Sequence, residues 1–171
     1  LALAFAERGM NVVLADIDEH GLVNVADEIA ATGRDVAVVP TDVTDFDAVE
    51  ALAAVAVDRF GTVDVVCNNA GIAHGIRPVW EIAADEWQRM LAVNVWSVIH
   101  GIRAFVPRLI AQGSGHVVNT ASMAGLTTVP QLADYVVSKH AVVALTESLR
   151  ADLDATSSGV GATVLCPGPV Q

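Results

Sequence analysis

Val63-Asp64-Val65-Val66-Cys67-Asn68-Asn69-Ala70-Gly71 is an apolar run that empties into a polar turn, and the whole chain repeats that arrangement. β-Branched valines bounded by Gly61 before and Asn-Asn-Ala-Gly after read as a buried strand whose carboxyl end opens into a loop. Upstream, Asn11-Val12-Val13-Leu14-Ala15-Asp16 is a short strand ending in an acid, and Val36-Ala37-Val38-Val39 ends at Pro40-Thr41-Asp42-Val43. Downstream, His116-Val117-Val118-Asn119-Thr120 ends at Ala121-Ser122, and Ala162-Thr163-Val164-Leu165-Cys166 ends at Pro167-Gly168-Pro169-Val170. Helical patterns separate them. Leu1 to Gly9 reads as a helix already under way. Another runs from Asp18 to about Ala31 and stops at Gly33. Thr44-x-x-Asp47 reads as a capping box opening a helix to about Phe60. A long helix covers about Asp85 to Gln112, with Pro107 expected to kink or break it. The last runs from about Asp134 to Ala155. Strands alternating with crossover-length helices predict an α/β fold, a doubly wound parallel sheet with helices on both faces, as one domain over 1–171.

Composition narrows the function. The chain has 171 residues, 53% hydrophobic but only 5% aromatic, so its core must be built of Val, Ala, Leu and Ile. Formal charge is −11, from 9 basic and 20 acidic residues, with no basic cluster, which argues against nucleic acid as a partner. The longest stretch free of Asp, Glu, Lys and Arg, 109–133, is interrupted by Gly113, Gly115, His116, Asn119 and Pro130, so no membrane span is expected. Cys67 and Cys166 end strands expected to flank a third, too far apart for a disulfide. The histidines are scattered without ligand spacing, so no metal is expected, and a reduced, cytoplasmic setting fits.

In sheets of this kind ligands bind beyond the carboxyl ends of the strands. Asp16, Asp42, Asn68-Asn69, Ser122 and Gly168 collect there. Tyr135 and Lys139 are the chain's only tyrosine and only lysine, four residues apart on one helix and therefore on one face. A phenol titrates near ~10, too high for acid–base work at neutral pH. An ammonium ~4 Å away is worth on the order of 4 kcal/mol at an effective dielectric of 20. A two-unit shift needs only ~2.7 kcal/mol, so one lysine suffices. Taken singly, each residue has a plain structural reading: a core aromatic, a solvated lysine, a loop hydroxyl at Ser122, a helix-bridging amide at Asn94. Together they favour chemistry.

Asn68-Asn69-Ala70-Gly71, Asn94 within Leu91-Ala92-Val93-Asn94, Ser122, Tyr135-x-x-x-Lys139 and Pro167-Gly168 resemble, in order and spacing, the short-chain dehydrogenase/reductase family. The resemblance implies a Rossmann-like fold and an oxidoreductase that moves a hydride between a nicotinamide cofactor and a secondary alcohol or ketone. It implies Tyr135 as acid–base, Ser122 as the hydrogen-bond partner of the substrate oxygen, and Lys139 as tuner of Tyr135 and grip on the cofactor ribose. Asn94 would support a water linking Lys139 to solvent. Asn69, Ala70 and Gly71 would form a backbone shelf for the cofactor, Asp42 and Val43 an adenine contact, and Pro167, Gly168 and Val170 a further cofactor contact, while Asn68 reads as structural. Asp16, with no basic residue at Ile17, would bind the adenosine ribose hydroxyls and favour NAD, NADP remaining open. The resemblance also implies a homodimer or homotetramer, paired through the helices 85–112 and 134–155. The family's glycine-rich turn and first strand are not in this sequence, nor is its C-terminal strand. The expectation is an internal fragment, truncated at both ends, with half-sheets 3-2 and 4-5-6 of the order 3-2-1-4-5-6. A catalytically silent nucleotide-binding regulator is the alternative, and an epimerase of the extended branch a further one.

Overall fold

The structure, a computed structural model, describes residues 1–168. Val170 lies outside the described residues. The chain divides into two compact units, Leu1–Val63 and Asp64–Gln171.

The first unit runs α1 (Ala2–Glu7), β1 (Val12–Asp16), α2 (Glu19–Ala31), β2 (Val36–Pro40) and α3 (Phe46–Phe60). β1 and β2 pair in parallel, Val12 opposite Val36 and Asp16 opposite Pro40. Leu14 on β1 and Leu22 and Ile29 on α2 meet Ala6 of α1 in one apolar cluster. α2 starts where the sequence places it, because the Asp18 side chain accepts from the Gly21 N–H. α3 starts one residue later than the capping box suggests. Its cap is Asp45, which accepts from the Asp47 N–H, while the Thr44 N–H and hydroxyl both donate to Asp42 Oδ1, at 2.9 and 2.7 Å. The bond to Asp42 holds the Thr44 side chain toward the loop, and Asp45 supplies the acceptor that starts α3.

The second unit runs β3 (Val65–Asn68), α4 (Ala84–Leu91), α5 (Ser97–Gln112), β4 (Gly115–Thr120), α6 (Ala133–Thr156) and β5 (Val160–Leu165). Its sheet is parallel in the order β3-β4-β5, so the strands fall into two sheets of two and three, as the expected half-sheets require. Asn68 and Asn119 are register partners whose side chains bond at 2.8 Å. Asn119 also donates to Thr146 on α6, at 2.9 Å, and a side chain at Gly101 on α5 would overlap Asn68. α5 and α6 therefore cover the same face of this sheet. Val98, Ala121 and Val142 form the apolar centre there. Val98 and Val142 are core, whereas Trp96 stays 52% exposed. Cys67 and Cys166 are free thiols.

The long helix is interrupted, but not at Pro107. A π-turn at Ala92–Trp96 separates α4 from α5, and Pro107 lies inside α5, which continues to Gln112. Ser97 Oγ donates to the Val93 carbonyl at 2.5 Å, drawing that oxygen toward a side chain at the bulge. Around Pro107, the buried Ala104, Phe105, Val106 and Leu109 hold the helix against the loss of one backbone hydrogen bond. The run Ala84–Gln112 is long and apolar enough to cross a membrane, yet half of its most apolar stretch is buried inside the protein. A core helix has the same composition.

Candidate active site

Tyr135 and Lys139 sit on the first two turns of α6, and the Lys139 Nζ lies 5.7 Å from the centre of the Tyr135 ring. Lys139 is only 4% exposed. Its ammonium donates to the Thr120 carbonyl at the end of β4, at 3.0 Å, and among the described residues no carboxylate pairs with it. Burial holds its pKa below the ordinary lysine value. A buried cation without a counter-charge is costly to keep, and that cost points to a use.

Asn94 sits in the π-turn, 1% exposed, and the bulge turns its amide inward. It holds the backbone of Ile72 from both sides. The Ile72 N–H donates to Asn94 Oδ1 at 2.8 Å, and Asn94 Nδ2 donates to the Ile72 carbonyl at 3.0 Å. The same Nδ2 donates to Ser138 Oγ at 3.0 Å, so the loop after β3 is tied through Asn94 to α6. Gly71 lies against this arrangement on one side and is exposed on the other. A Cβ there would lie 3.3 Å from Lys139 Nζ and 3.4 Å from Asn94 Oδ1, so the loop passes the lysine as bare backbone. Next to it, Asn69 Oδ1 accepts from the Thr120 hydroxyl at 3.0 Å, and Ala70 is exposed.

Ser122 follows β4 and opens the 3-10 turn Met123–Gly125. Its Oγ accepts from the Ala124 N–H at 3.1 Å, which leaves the hydroxyl hydrogen free to donate outward. The Met123 N–H donates to the Pro167 carbonyl at 2.9 Å, and a Cβ at Gly168 would lie 3.3 Å from Met123 Sδ. Pro167 and Gly168 thus lie against the Ser122 turn. Asp16, Ile17, Asp42 and Val43 belong to the first unit. There Asp16 and Asp42 share the carboxyl edge of β1-β2, where the Thr41 N–H donates to the Asp16 carbonyl at 2.9 Å. Asp16 Oδ1 accepts from the Asp18 N–H and Ile17 is 74% exposed. The Thr44 hydroxyl, then the Thr44 N–H, hold the Asp42 pKa below the usual carboxylate value.

The second unit thus places at one end of its parallel sheet a phenol, a buried ammonium against it, a hydroxyl at the neighbouring strand end and a bare-backbone loop. The profile described as short chain dehydrogenase matches residues 1–171, the entire sequence. The chain belongs to the short-chain dehydrogenase/reductase family. It is 45% identical to 1-deoxy-11-beta-hydroxypentalenate dehydrogenase of Streptomyces avermitilis, aligned over all of this chain and 63% of that protein. A short-chain dehydrogenase/reductase from Burkholderia phymatum, solved in complex with NAD, is 44% identical with a TM-score of 0.95, over 99% of this chain and 61% of that one. NAD+-bound xylitol dehydrogenase is 34% identical with a TM-score of 0.93, over 98% of this chain and 64% of that one. The chain therefore spans a little under two thirds of the relatives it matches.

Sequence reasoning did not reach several residues that shape the site of this family member. Gly125 carries the Ser122 turn against α6, a Cβ there lying 2.7 Å from the Lys139 carbonyl oxygen. Ser138 links Asn94 to α6 and donates to the Tyr135 carbonyl at 2.7 Å. Asp134, fully buried, accepts from the Tyr135 N–H at 2.8 Å and pairs with His74. The single signal available was an acid next to the only tyrosine. An open pocket of about 430 Å³ lies against the same turn of α6, with walls that include Pro78, Val79, Trp80, Val129, Pro130 and Val136 but not Ser122, Tyr135 or Lys139.

Proposed function

We propose that this chain is the catalytic portion of an NAD-dependent dehydrogenase that interconverts a secondary alcohol and a ketone, with Tyr135 as its acid–base. The observation that carries this is the buried, uncountered Lys139 ammonium against the Tyr135 ring. The residues suit a nicotinamide dinucleotide. Gly71 leaves room for a ligand to approach the backbone, and Lys139 uses one of its three donors on Thr120, keeping others for ribose hydroxyls. Asp16 keeps one carboxylate oxygen beyond its bond to Asp18, suited to a diol and repulsive toward a 2′-phosphate. A bound nicotinamide supplies the hydride.

The chain's own residues do the rest. Ser122 donates its free hydroxyl hydrogen to the substrate oxygen and fixes it. Tyr135 gives that oxygen a proton in the reductive direction and takes one in the oxidative direction. A carbonyl gaining hydride develops negative charge on oxygen, so positioned donors lower the barrier. Lys139 stabilises the phenolate from its buried position. Asn94 keeps Ile72 and Gly71 in place beside the lysine. The walls of the adjacent open pocket are mostly apolar, Thr128 and Gln131 apart, which favours a substrate with a hydrocarbon body over a polyol.

Tyr135→Phe in the intact protein tests the assignment. The phenyl ring keeps the packing and removes only the proton, so alcohol oxidation should vanish while NADH still binds in a fluorescence titration. A variant that retains most of its activity would sink it. The rival reading, a silent nucleotide-binding regulator, predicts no alcohol-dependent NADH formation by the unaltered protein.

A further inference from the structure

Asp134 immediately precedes the tyrosine and its side chain is fully buried. One oxygen accepts from the Tyr135 N–H in the first turn of α6, where the cap position, Leu132, offers no side-chain acceptor. The other oxygen meets Nε2 of His74, a partly buried residue 60 positions earlier in the loop that leaves β3. His74 Nδ1 lies 2.6 Å from the Gly75 carbonyl oxygen. A carbonyl cannot donate, so Nδ1 carries a hydrogen. The Nε2–Oδ2 contact needs a second proton, because a neutral imidazole beside an ionised carboxylate would set lone pair against lone pair. The pair therefore holds one proton that links two segments.

Those segments adjoin the residues of the site. Two residues before His74, Ile72 is held on both sides by Asn94. Three residues after it, the Arg77 N–H donates to the Gln131 carbonyl at 2.9 Å. Gln131 has φ 64°, a left-handed conformation that a non-glycine residue adopts at a cost, so this contact is held by its surroundings. His74–Asp134 ties the stretch between these two anchors directly to the turn carrying Tyr135, alongside the Asn94–Ser138 link to the Tyr135 carbonyl.

We propose that His74 is a positioning residue for the reaction: its protonated ring locks the loop behind Gly71 onto Asp134, and so fixes the backbone from which Tyr135 works. This rests on Tyr135 being the acid–base. The lock has a pH dependence of definite sign. The charged groups acting on His74 are Asp134 and Arg77, the latter bound to Glu86 at 2.8 Å. The Gly75 carbonyl first, and the Asp134 carboxylate after it, hold the His74 pKa above its ordinary value of 6.5, against opposition from burial and from Arg77. The lock is complete below the ordinary value and is lost as pH rises through the raised one.

The test uses the intact protein and three variants. Histidine NMR, with the His74 signal assigned by its loss in His74→Gln, should show titration above the ordinary value, and Asp134→Asn should bring it down. His74→Ala should lower kcat roughly tenfold or more, the scale on which small misplacements act, and by a larger factor than it raises the NADH Kd. His74→Gln, whose amide donates to Asp134 without titrating, should recover much of that loss. The ratio of its kcat to that of the unaltered protein should rise with pH through the value found by NMR. A His74 that titrates at or below the ordinary value overturns the proposal, as does a kcat ratio that is flat with pH. Should His74→Ala fail to fold, the NMR and ratio measurements decide alone. Activity surviving in Tyr135→Phe would instead strike the acid–base reading, and the NMR result would stand apart from it.

Discussion

Gly125→Ala is the smallest change that should separate packing from chemistry at this site. Gly125 ends the 3-10 turn opened by Ser122, and that turn lies against the middle of α6. A methyl group there would sit 2.7 Å from the Lys139 carbonyl oxygen, 3.0 Å from the carbonyl carbon and 3.0 Å from Val143 Cγ2. Ordinary contact begins near 3.4 Å, so the turn must back away by several tenths of an ångström. Two of the three atoms are backbone of a helix, which cannot yield by changing a rotamer. Overpacking of this kind costs ~1–3 kcal/mol of stability. The larger effect should be on rate. Displacing the turn moves Ser122 relative to Tyr135, and a shift approaching 1 Å can cost up to ~100-fold. Urea unfolding of the intact protein should show the midpoint falling with an unchanged slope. Steady-state kinetics should show kcat falling by a larger factor than the affinity for NADH. A Gly125→Ala protein with normal kcat and normal stability would refute the reasoning, because it would mean that the turn moves without carrying Ser122 with it.

Coenzyme preference follows from Asp16. The intact protein should use NAD in preference to NADP, and Asp16→Ala should narrow or reverse the ratio of kcat/KM values, since an unpaired carboxylate near a phosphate is repulsive; a protein that already prefers NADP would refute this. Substrate class follows from the mostly apolar open pocket beside α6. A bulky apolar secondary alcohol such as a steroid or terpenoid alcohol should give a higher kcat/KM than xylitol, and the reverse order would exclude a hydrocarbon-lined site.

The parallel strands, the helices between them and the Tyr135–Lys139 pair were legible because each depends on residues close in sequence. A valine run flanked by glycine or asparagine has few conformations open to it, and helix geometry alone brings positions four apart onto one face. Tertiary structure decided what depends on meetings across the chain. Asn94 was recognisable by spacing, but its clamp on Ile72 exists because a π-turn rotates its amide inward, and no local propensity announces that turn. Pro107 looked like the break, yet burial of its neighbours on α5 outweighs one missing hydrogen bond. Thr44 looked like a cap, but its side chain is held toward Asp42, and Asp45 supplies the acceptor that starts α3. Gly125 carries no signature of its own; it is required because a helix carbonyl passes 2.7 Å from where a side chain would begin. His74 and Asp134 are 60 residues apart, and only the folded loop places an imidazole on that carboxylate. Short-range sterics and periodicity wrote the elements into the sequence, while the close approach of distant backbones chose which polar groups would share a proton.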